Sequence, residues 1–385
     1  MRIALDGSDL AAERVEGPSV YAGELLPRLS RLLQERGHTV TTYLPSAPRG
    51  VTVAGETRVI PGSPFWTQRI FAAALRRDRP DVLFMPIQML PLLRPWRMKT
   101  VAVVHDLEFL HYPETYTPAN RFLLQWFTRH AVRHATQLIA VSQYTKDDVV
   151  RTYGRSPGDI AVVHHGVESA RFFGSGQWAV GSGQDEDLRR RHQLPERFIL
   201  FVGALQPRKN IVGLVTAFEE VKRTERATGS REWGIGNDDL HLVIVSGGEW
   251  KAAPILARIE RSPVRDSIHL LRKVASNELS ALYSMATAFV LPSFSEGFGM
   301  PVLEAMAAGT PVVTSNTSSL PEVAGDAALL VDPKSPSAIA HAIIHVLQDA
   351  SLRADLVAKG RARASRFTWD RTAEQTAAVI EKAGT

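Results

Sequence analysis

The chain has 385 residues, 44% of them hydrophobic and 22% charged, a folded composition longer than one hydrophobic core supports, so two domains are expected. It contains no cysteine, which excludes disulfides and thiolate metal sites outright and fits a reducing compartment. The net charge of +5 resides in residues 1–180, with 21 Lys and Arg against 16 Asp and Glu; the remainder balances at 24 each, so an anionic partner is expected on the N-terminal half.

Residues 2–6 read as a short buried strand, and Asp6 arrives before any signal-peptide core develops. No apolar run reaches transmembrane length, so a cytoplasmic protein is expected. A helix starts near Gly17-Pro18-Ser19, carries Leu25, Leu26, Leu29 and Leu32 or Leu33 on one face, and ends near Gly37. Residues 38–43 form the second strand, and this order opens a parallel α/β sheet. The first strand is followed by no G-x-G-x-x-G, which speaks against a dinucleotide oxidoreductase.

Residues 64–79 mix Phe65, Trp66 and Ile70 with Arg69, Arg76 and Arg77. Such a mix suits a lipid headgroup layer; equally, Phe71, Ala74 and Leu75 are ordinary core with solvated arginines beside them. A strand over 81–85 comes next. Another over 100–104 ends in His105-Asp106, the carboxyl-end position where open α/β sheets place ligands. A helix over 121–134 carries Arg121, Arg129 and Arg133, and a strand over 137–141 leads into Ser142, a good N-cap.

Residues 174–197, with Gly and Ser and then an acidic and a basic run, read as the linker. Asp185-Glu186-Asp187 spells a metal-type D-x-D there, but no strand precedes it and the solvated reading is favoured. The second half opens with a strand over 198–202 and Asn210 as N-cap of a helix from Ile211. Arg208 and Lys209 therefore precede a helix N-terminus, where cations oppose the macrodipole unless an anion lies between them. A polar insert over 223–239 and strands over 242–246 and 268–271 follow.

The chain turns on residues 293–313, SFSEGFGMPVLEAMAAGTPVV. Glu296 and Glu304 stand eight positions apart, separated by the turn Gly297-Phe298-Gly299 and a helix start. Pro301 suits the first helical turn, Gly309 suits a left-handed close, and Pro311 forbids continuation. The N-terminus of this short helix attracts anions, phosphate above all. Two carboxylates flanking an anion site make sense if they accept from hydroxyls, and a nucleotide sugar has that layout of ribose, diphosphate and hexose.

These residues resemble the signature of retaining glycosyltransferases of family 4, whose pattern is EGFG-x-P-x-LEAMA-x-G-x-PVV with two glutamates eight apart. The resemblance implies a GT-B fold, α/β throughout. Two Rossmann-like domains, here over residues 1–180 and 196–365, would face across a cleft, with a C-terminal helix over 366–385 crossing back to the first. It extends to His105-Asp106 and the following LEFLHYPETYT, where it is nearest bacterial mannosyltransferases, and to the G-x-x-x-x-RKN around Arg208 and Lys209. In the family, the histidine reaches the transferred sugar and the Arg-Lys pair holds the donor diphosphate. His105 also admits a plain structural role as a cap or a partner of Asp106.

Two departures stand out. Val20 replaces the arginine usual after the first glycine turn, leaving Gly17 to approach the diphosphate through its backbone. Arg272-Lys273-Val274 replaces a Gly-aromatic-Val loop that frames the base, leaving Val274 as the base contact.

The reading is a retaining glycosyltransferase that needs no metal or other cofactor and moves a hexose, most simply mannose from GDP-mannose. Its acceptor is a glycan or a polyprenyl- or other lipid-linked molecule of cell-surface polysaccharide or glycolipid synthesis. Catalysis is assigned to His105, Glu296, Arg208 and Lys209. Donor binding is assigned to Gly17, Val274, the Glu296–Gly299 turn, Glu304 and the Arg-Lys pair. The cationic first domain implies peripheral attachment to the inner face of an anionic membrane, and nothing in the motifs implies nucleic acid. A nucleotide-sugar epimerase and a non-catalytic nucleotide-sugar-binding protein are the alternatives.

Overall fold

Seven short strands, β1 (Arg2–Asp6), β2 (Thr39–Leu44), β3 (Glu56–Val59), β4 (Val82–Met85), β5 (Lys99–Val104), β6 (Gln137–Ala140) and β7 (Ile160–Val162), pair in parallel in the order β3-β2-β1-β4-β5-β6-β7. Six more, β8 (Arg197–Val202), β9 (Leu240–Val245), β10 (Ile268–Leu271), β11 (Ala288–Leu291), β12 (Val312–Ser315) and β13 (Ala328–Val331), form a second parallel sheet in the order β10-β9-β8-β11-β12-β13. The structure, a computed structural model, describes residues 1–11, 17–48, 50–62, 65–168, 183–228, 240–272 and 274–385, apart from the side chains of residues 183–185, 228, 276 and 277.

The central strands are buried along their whole length, as β4 and β11 show. That is why they read as continuous apolar runs rather than alternating ones. Each sheet has one point where the strand order reverses, between β1 and β4 in the first and between β8 and β11 in the second. Crevices at the carboxyl ends of such strands are where open α/β sheets bind ligands.

The first unit comprises Met1–Gly166 together with Phe367–Thr385, and the second Val167–Arg366. The helix Trp369–Gly384 belongs to the first unit because its apolar face, including Trp369, Ala373, Ala377 and Ile380, is buried there. Thr372 donates to the carbonyl of His164 at 2.8 Å. A Cβ on Gly166 would lie 2.2 Å from the backbone nitrogen of Trp369, so the helix docks where only glycine allows it.

Four expectations change. The boundary falls near residue 166 rather than 180. Residues 183–192 are helical, not linker, and sit in the second unit with Leu188 buried. Residues 169–182 lie outside the described residues. Of the expected polar insert, 223–228 finishes the helix Ile211–Thr228, and 229–239 lie outside the described residues. The aromatic-basic stretch also loses its main anchor. Trp66 is buried, stacks on Phe71 at 4.9 Å and donates its indole N–H to Ile60. Arg77 pairs with Asp78. Trp66 and Phe71 serve the core, since an indole with an internal acceptor gains nothing from a bilayer, while Phe65 stays exposed.

Candidate active site

In the second unit, a cationic pair and a carboxylate meet at the reversal point. β8 delivers a 3-10 turn, Pro207–Lys209, and β11 delivers Ser293 to Glu296. Lys209 donates to both carboxylate oxygens of Glu296, at 2.6 and 2.8 Å, and Arg208 donates to Oε2 at 3.1 Å. The Arg208 guanidinium also reaches the carbonyl of Ser295 at 3.0 Å, and the Ser293 hydroxyl donates to Glu296 Oε1 at 2.7 Å. Lys209 and Glu296 are both buried. Burial alone would push the Glu296 carboxyl up; Lys209 and Arg208 overcome it and hold it at about 2. The anion that the two cations require is thus supplied from within the protein, and the cluster still carries one surplus positive charge.

The turn after Glu296 is fixed by its backbone. Gly299 caps the helix Met300–Ala308 at φ 99, and Gly309 closes it at φ 80. A Cβ on Gly299 would meet Leu320 at 2.7 Å, so this position excludes other residues twice over. Ser318 accepts from the Glu296 amide at 3.0 Å, while the Ser319 hydroxyl donates toward the carbonyls of Glu296 and Phe298. Phe298 itself is buried, so its ring faces the core. Glu304, one turn into the helix, accepts from the hydroxyl of the fully buried Tyr283 at 2.8 Å. Asn210 takes a left-handed conformation, and its side-chain amide ties the carbonyls of Pro292 and Pro333. Val274 is half-buried after β10, and Lys273 beside it lies outside the described residues. In the D-x-D, Asp187 pairs with Arg190 on an exposed helix face. Among the described residues no group of three or more His, Asp or Glu could hold a metal.

The first unit presents a different chemistry at its own reversal point. His105, after β5, donates from Nε2 to the carbonyl of Pro86 at 2.8 Å. A carbonyl only accepts, so Nε2 holds the proton and Nδ1 is the acceptor of the neutral ring. Burial lowers the His105 pKa, which keeps that ring neutral. Tyr21 packs edge-on against it at 4.9 Å. Gly17 opens the helix Gly17–Glu35 in open space, and residues 12–16 before it lie outside the described residues.

Sequence reasoning missed two carboxylates here. Asp6 ends β1 fully buried, and Asp9 follows; each has one oxygen with no hydrogen-bond partner. Burial raises Asp6 to about 7 and raises Asp9 as well. A carboxyl whose folded pKa lies above its unfolded value keeps its proton longer in the native state. The contribution of Asp6 to stability is therefore full below about pH 4 and lost as pH rises toward 7, by about 4 kcal/mol at most. Asp6→Asn is expected to remove that decline and to be the more stable protein at pH 8 in denaturant unfolding. A wild-type profile flat between pH 4 and 7 would contradict it.

Residues 22–171 match the family described as Glycosyltransferase Family 4, and residues 184–363 match Glycosyl transferases group 1. The chain is 32% identical over 281 residues to the O-antigen chain mannosyltransferase B of Escherichia coli, covering 72% of this chain and 69% of that protein. It is also 32% identical over 264 residues to a D-inositol 3-phosphate glycosyltransferase of Salinispora tropica, covering 66% of this chain and 52% of that protein. The chain thus spans about half of one curated relative and somewhat over two thirds of the other. Among solved structures, the sucrose-phosphate synthase of Thermosynechococcus elongatus superposes with a TM-score of 0.74 at 21% identity, covering 99% of this chain and 98% of that one, a likeness of fold alone. The two parallel-sheet, Rossmann-like units are those of the GT-B fold. With both halves matched and a 32% identical relative covered over more than two thirds of its length, the chain belongs to glycosyltransferase family 4 and is a glycosyltransferase.

Proposed function

We propose that the protein transfers mannose from GDP-mannose, with retention and without a metal, to a glycan or lipid-linked acceptor of cell-surface polysaccharide synthesis. The observation that carries the donor half is the buried Arg208–Lys209–Glu296 cluster with its surplus positive charge at the reversal point of the second sheet. A diphosphate entering there meets a fork-shaped guanidinium, a point-charge ammonium and the Met300–Ala308 helix start. The mannose choice rests on the family resemblance and the Escherichia coli relative. Glu304, oriented by Tyr283, takes the ribose hydroxyls, and Gly17, Val274 and the Glu296–Gly299 turn complete the donor contacts.

In the transfer step the C1–O bond to the diphosphate breaks, and the leaving oxygen takes the electron pair. The acceptor hydroxyl attacks C1 on the same face, and its proton passes to the departing phosphate. Arg208 and Lys209 stabilise the charge that develops on the leaving group. Glu296 acts by holding both cations and the hexose rather than as a nucleophile. His105 accepts a hydrogen bond from a hexose hydroxyl at Nδ1, the ring nitrogen with no hydrogen bond among the described residues.

Transfer from 13C-labelled GDP-mannose to a polyprenyl-linked glycan, run in EDTA, is expected to give an α-linked product at undiminished rate by NMR. A β-linked product would overturn retention. Turnover lost in EDTA and restored by magnesium or manganese would overturn the cation-only leaving group.

A further inference from the structure

The helix Pro118–His134 packs Leu124 and small residues against the core yet leaves three large apolar side chains outside. Its buried residues are the small Thr128, Ala131 and Val132. Its large apolar residues Phe122, Leu123 and Trp126 face outward, Phe122 at 66% exposure. An amphipathic surface helix ordinarily turns its large apolar stripe to the core. The stripe continues as Arg129 and Arg133, so one face is apolar over its first half and cationic over its second.

The loop before β5 supplies a matching patch. Leu92, Leu93 and Trp96 are exposed, Trp96 at 85%, with Arg97 lying 4.7 Å over the Trp96 ring. These two segments hold six of the eleven exposed large apolar side chains among the described residues, so the exposure is a patch and not scatter. Between them lies a depression of about 810 Å³ whose lining includes Arg94, Arg97, Lys99, His130 and His134. The half-buried Arg94 guanidinium donates to the carbonyls of Pro91 and His134 and lies 3.4 Å from His130 Nε2, all neutral groups.

The sequence holds no acidic residue between Asp81 and Asp106, nor between Glu114 and Asp147. Among the described residues, Arg94, Arg97, Lys99, Arg129 and Arg133 form no ion pair. Unmatched cations interleaved with exposed aromatic and leucine side chains fit one occupant best, a surface both anionic and apolar beneath. A second copy of this face would bring like charges together.

We propose that this flank of the first unit, the Pro118–His134 helix with the 92–97 loop, is the face that lies on an anionic bilayer, and that the depression between them receives lipid phosphate headgroups. The geometry gives the flank a purpose. The helix runs back along the sheet for about 25 Å, from the carboxyl edge that carries His105 to the amino edge of β5 and β6. A bilayer along it brings a lipid-borne acceptor to that carboxyl edge. The inference rests on the lipid-borne acceptor of the reading above for its purpose, while the binding it states is read without any transfer.

The test is co-sedimentation of the full chain with phosphatidylglycerol-containing and with pure phosphatidylcholine vesicles. Wild type is compared with Trp96→Ala/Phe122→Ala, Arg97→Ala/Arg129→Ala/Arg133→Ala, and Arg76→Ala/Arg77→Ala from the other aromatic-basic segment. Wild type is expected to bind only the anionic vesicles and to release in high salt. The first two variants should bind at least tenfold more weakly, while the third binds as wild type. All targeted side chains are exposed, and a retained GDP-mannose thermal shift in each variant shows that it is folded. Equal binding by wild type and the first two variants, no binding by wild type, or loss confined to the Arg76/Arg77 variant would each overturn the proposal. Salt-sensitive self-association of wild type without lipid, lost in the same variants, would also overturn it in favour of a second copy. Vesicle binding without sugar transfer would fault the transferase reading alone; transfer without vesicle binding would fault this one alone.

Discussion

Arg208→Ala is expected to slow transfer on the order of a hundredfold or more, about 3 kcal/mol of transition-state stabilisation. The arginine is the least buried member of the cluster, and its loss leaves Lys209 on both oxygens of Glu296, so the fold should survive. Lys209→Ala should slow transfer comparably and also lower stability. Without the ammonium, a buried carboxylate keeps only one cation, and breaking a buried pair this way costs about 3–5 kcal/mol. Steady-state kinetics beside denaturant unfolding separates the two. Full activity in both single variants would remove the diphosphate assignment.

Glu296→Gln is expected to lower kcat on the order of a hundredfold while leaving affinity for free GDP undiminished. The substitution removes the negative member of a cluster whose task is to hold anions, so ground-state diphosphate binding does not suffer, whereas the hexose and both cations lose their common anchor. Glu304→Ala behaves oppositely under this account. It weakens GDP and GDP-mannose alike, and Tyr283→Phe should do so more mildly by removing the hydroxyl's bond to Glu304. Calorimetric titration of GDP into the three variants decides it, and the reverse pattern would exchange the roles of the two glutamates.

The legible parts of this chain were those whose residue types have one physical use. Gly299, Pro301 and Gly309 bracket the Met300–Ala308 helix in the structure as their backbone preferences require. The parallel sheets could be read from short, unalternating apolar runs, and Ser142 caps the helix Gln143–Tyr153 as expected. Arg208 and Lys209 announced an anion by standing against a helix dipole, but the sequence offered no sign that Glu296 is that anion, because the pairing spans 87 residues. Ser293, Ser318 and Ser319 were invisible for a related reason: a serine in a loop has many uses, and only the fold selects one. Trp66 misled because aromatic and basic neighbours in sequence do not reveal which way a ring turns; here the acceptor at Ile60 turned it inward. The Pro118–His134 helix was the converse, its arginines noted but its outward-facing rings concealed by an apparently ordinary amphipathic run.

The central claim is that the Arg208–Lys209 pair of the second unit holds the diphosphate of a nucleotide sugar. A thermal-shift panel of nucleoside diphosphates and nucleotide sugars tests it on wild type and Arg208→Ala side by side, since a ligand that binds only the native state raises apparent stability by mass action. GDP-mannose and GDP are expected to shift wild type, in EDTA as well as without it, and Arg208→Ala to lose most of the shift at equal ligand concentration. A wild type indifferent to every nucleotide sugar, or an Arg208→Ala variant shifted as far as wild type, would contradict it.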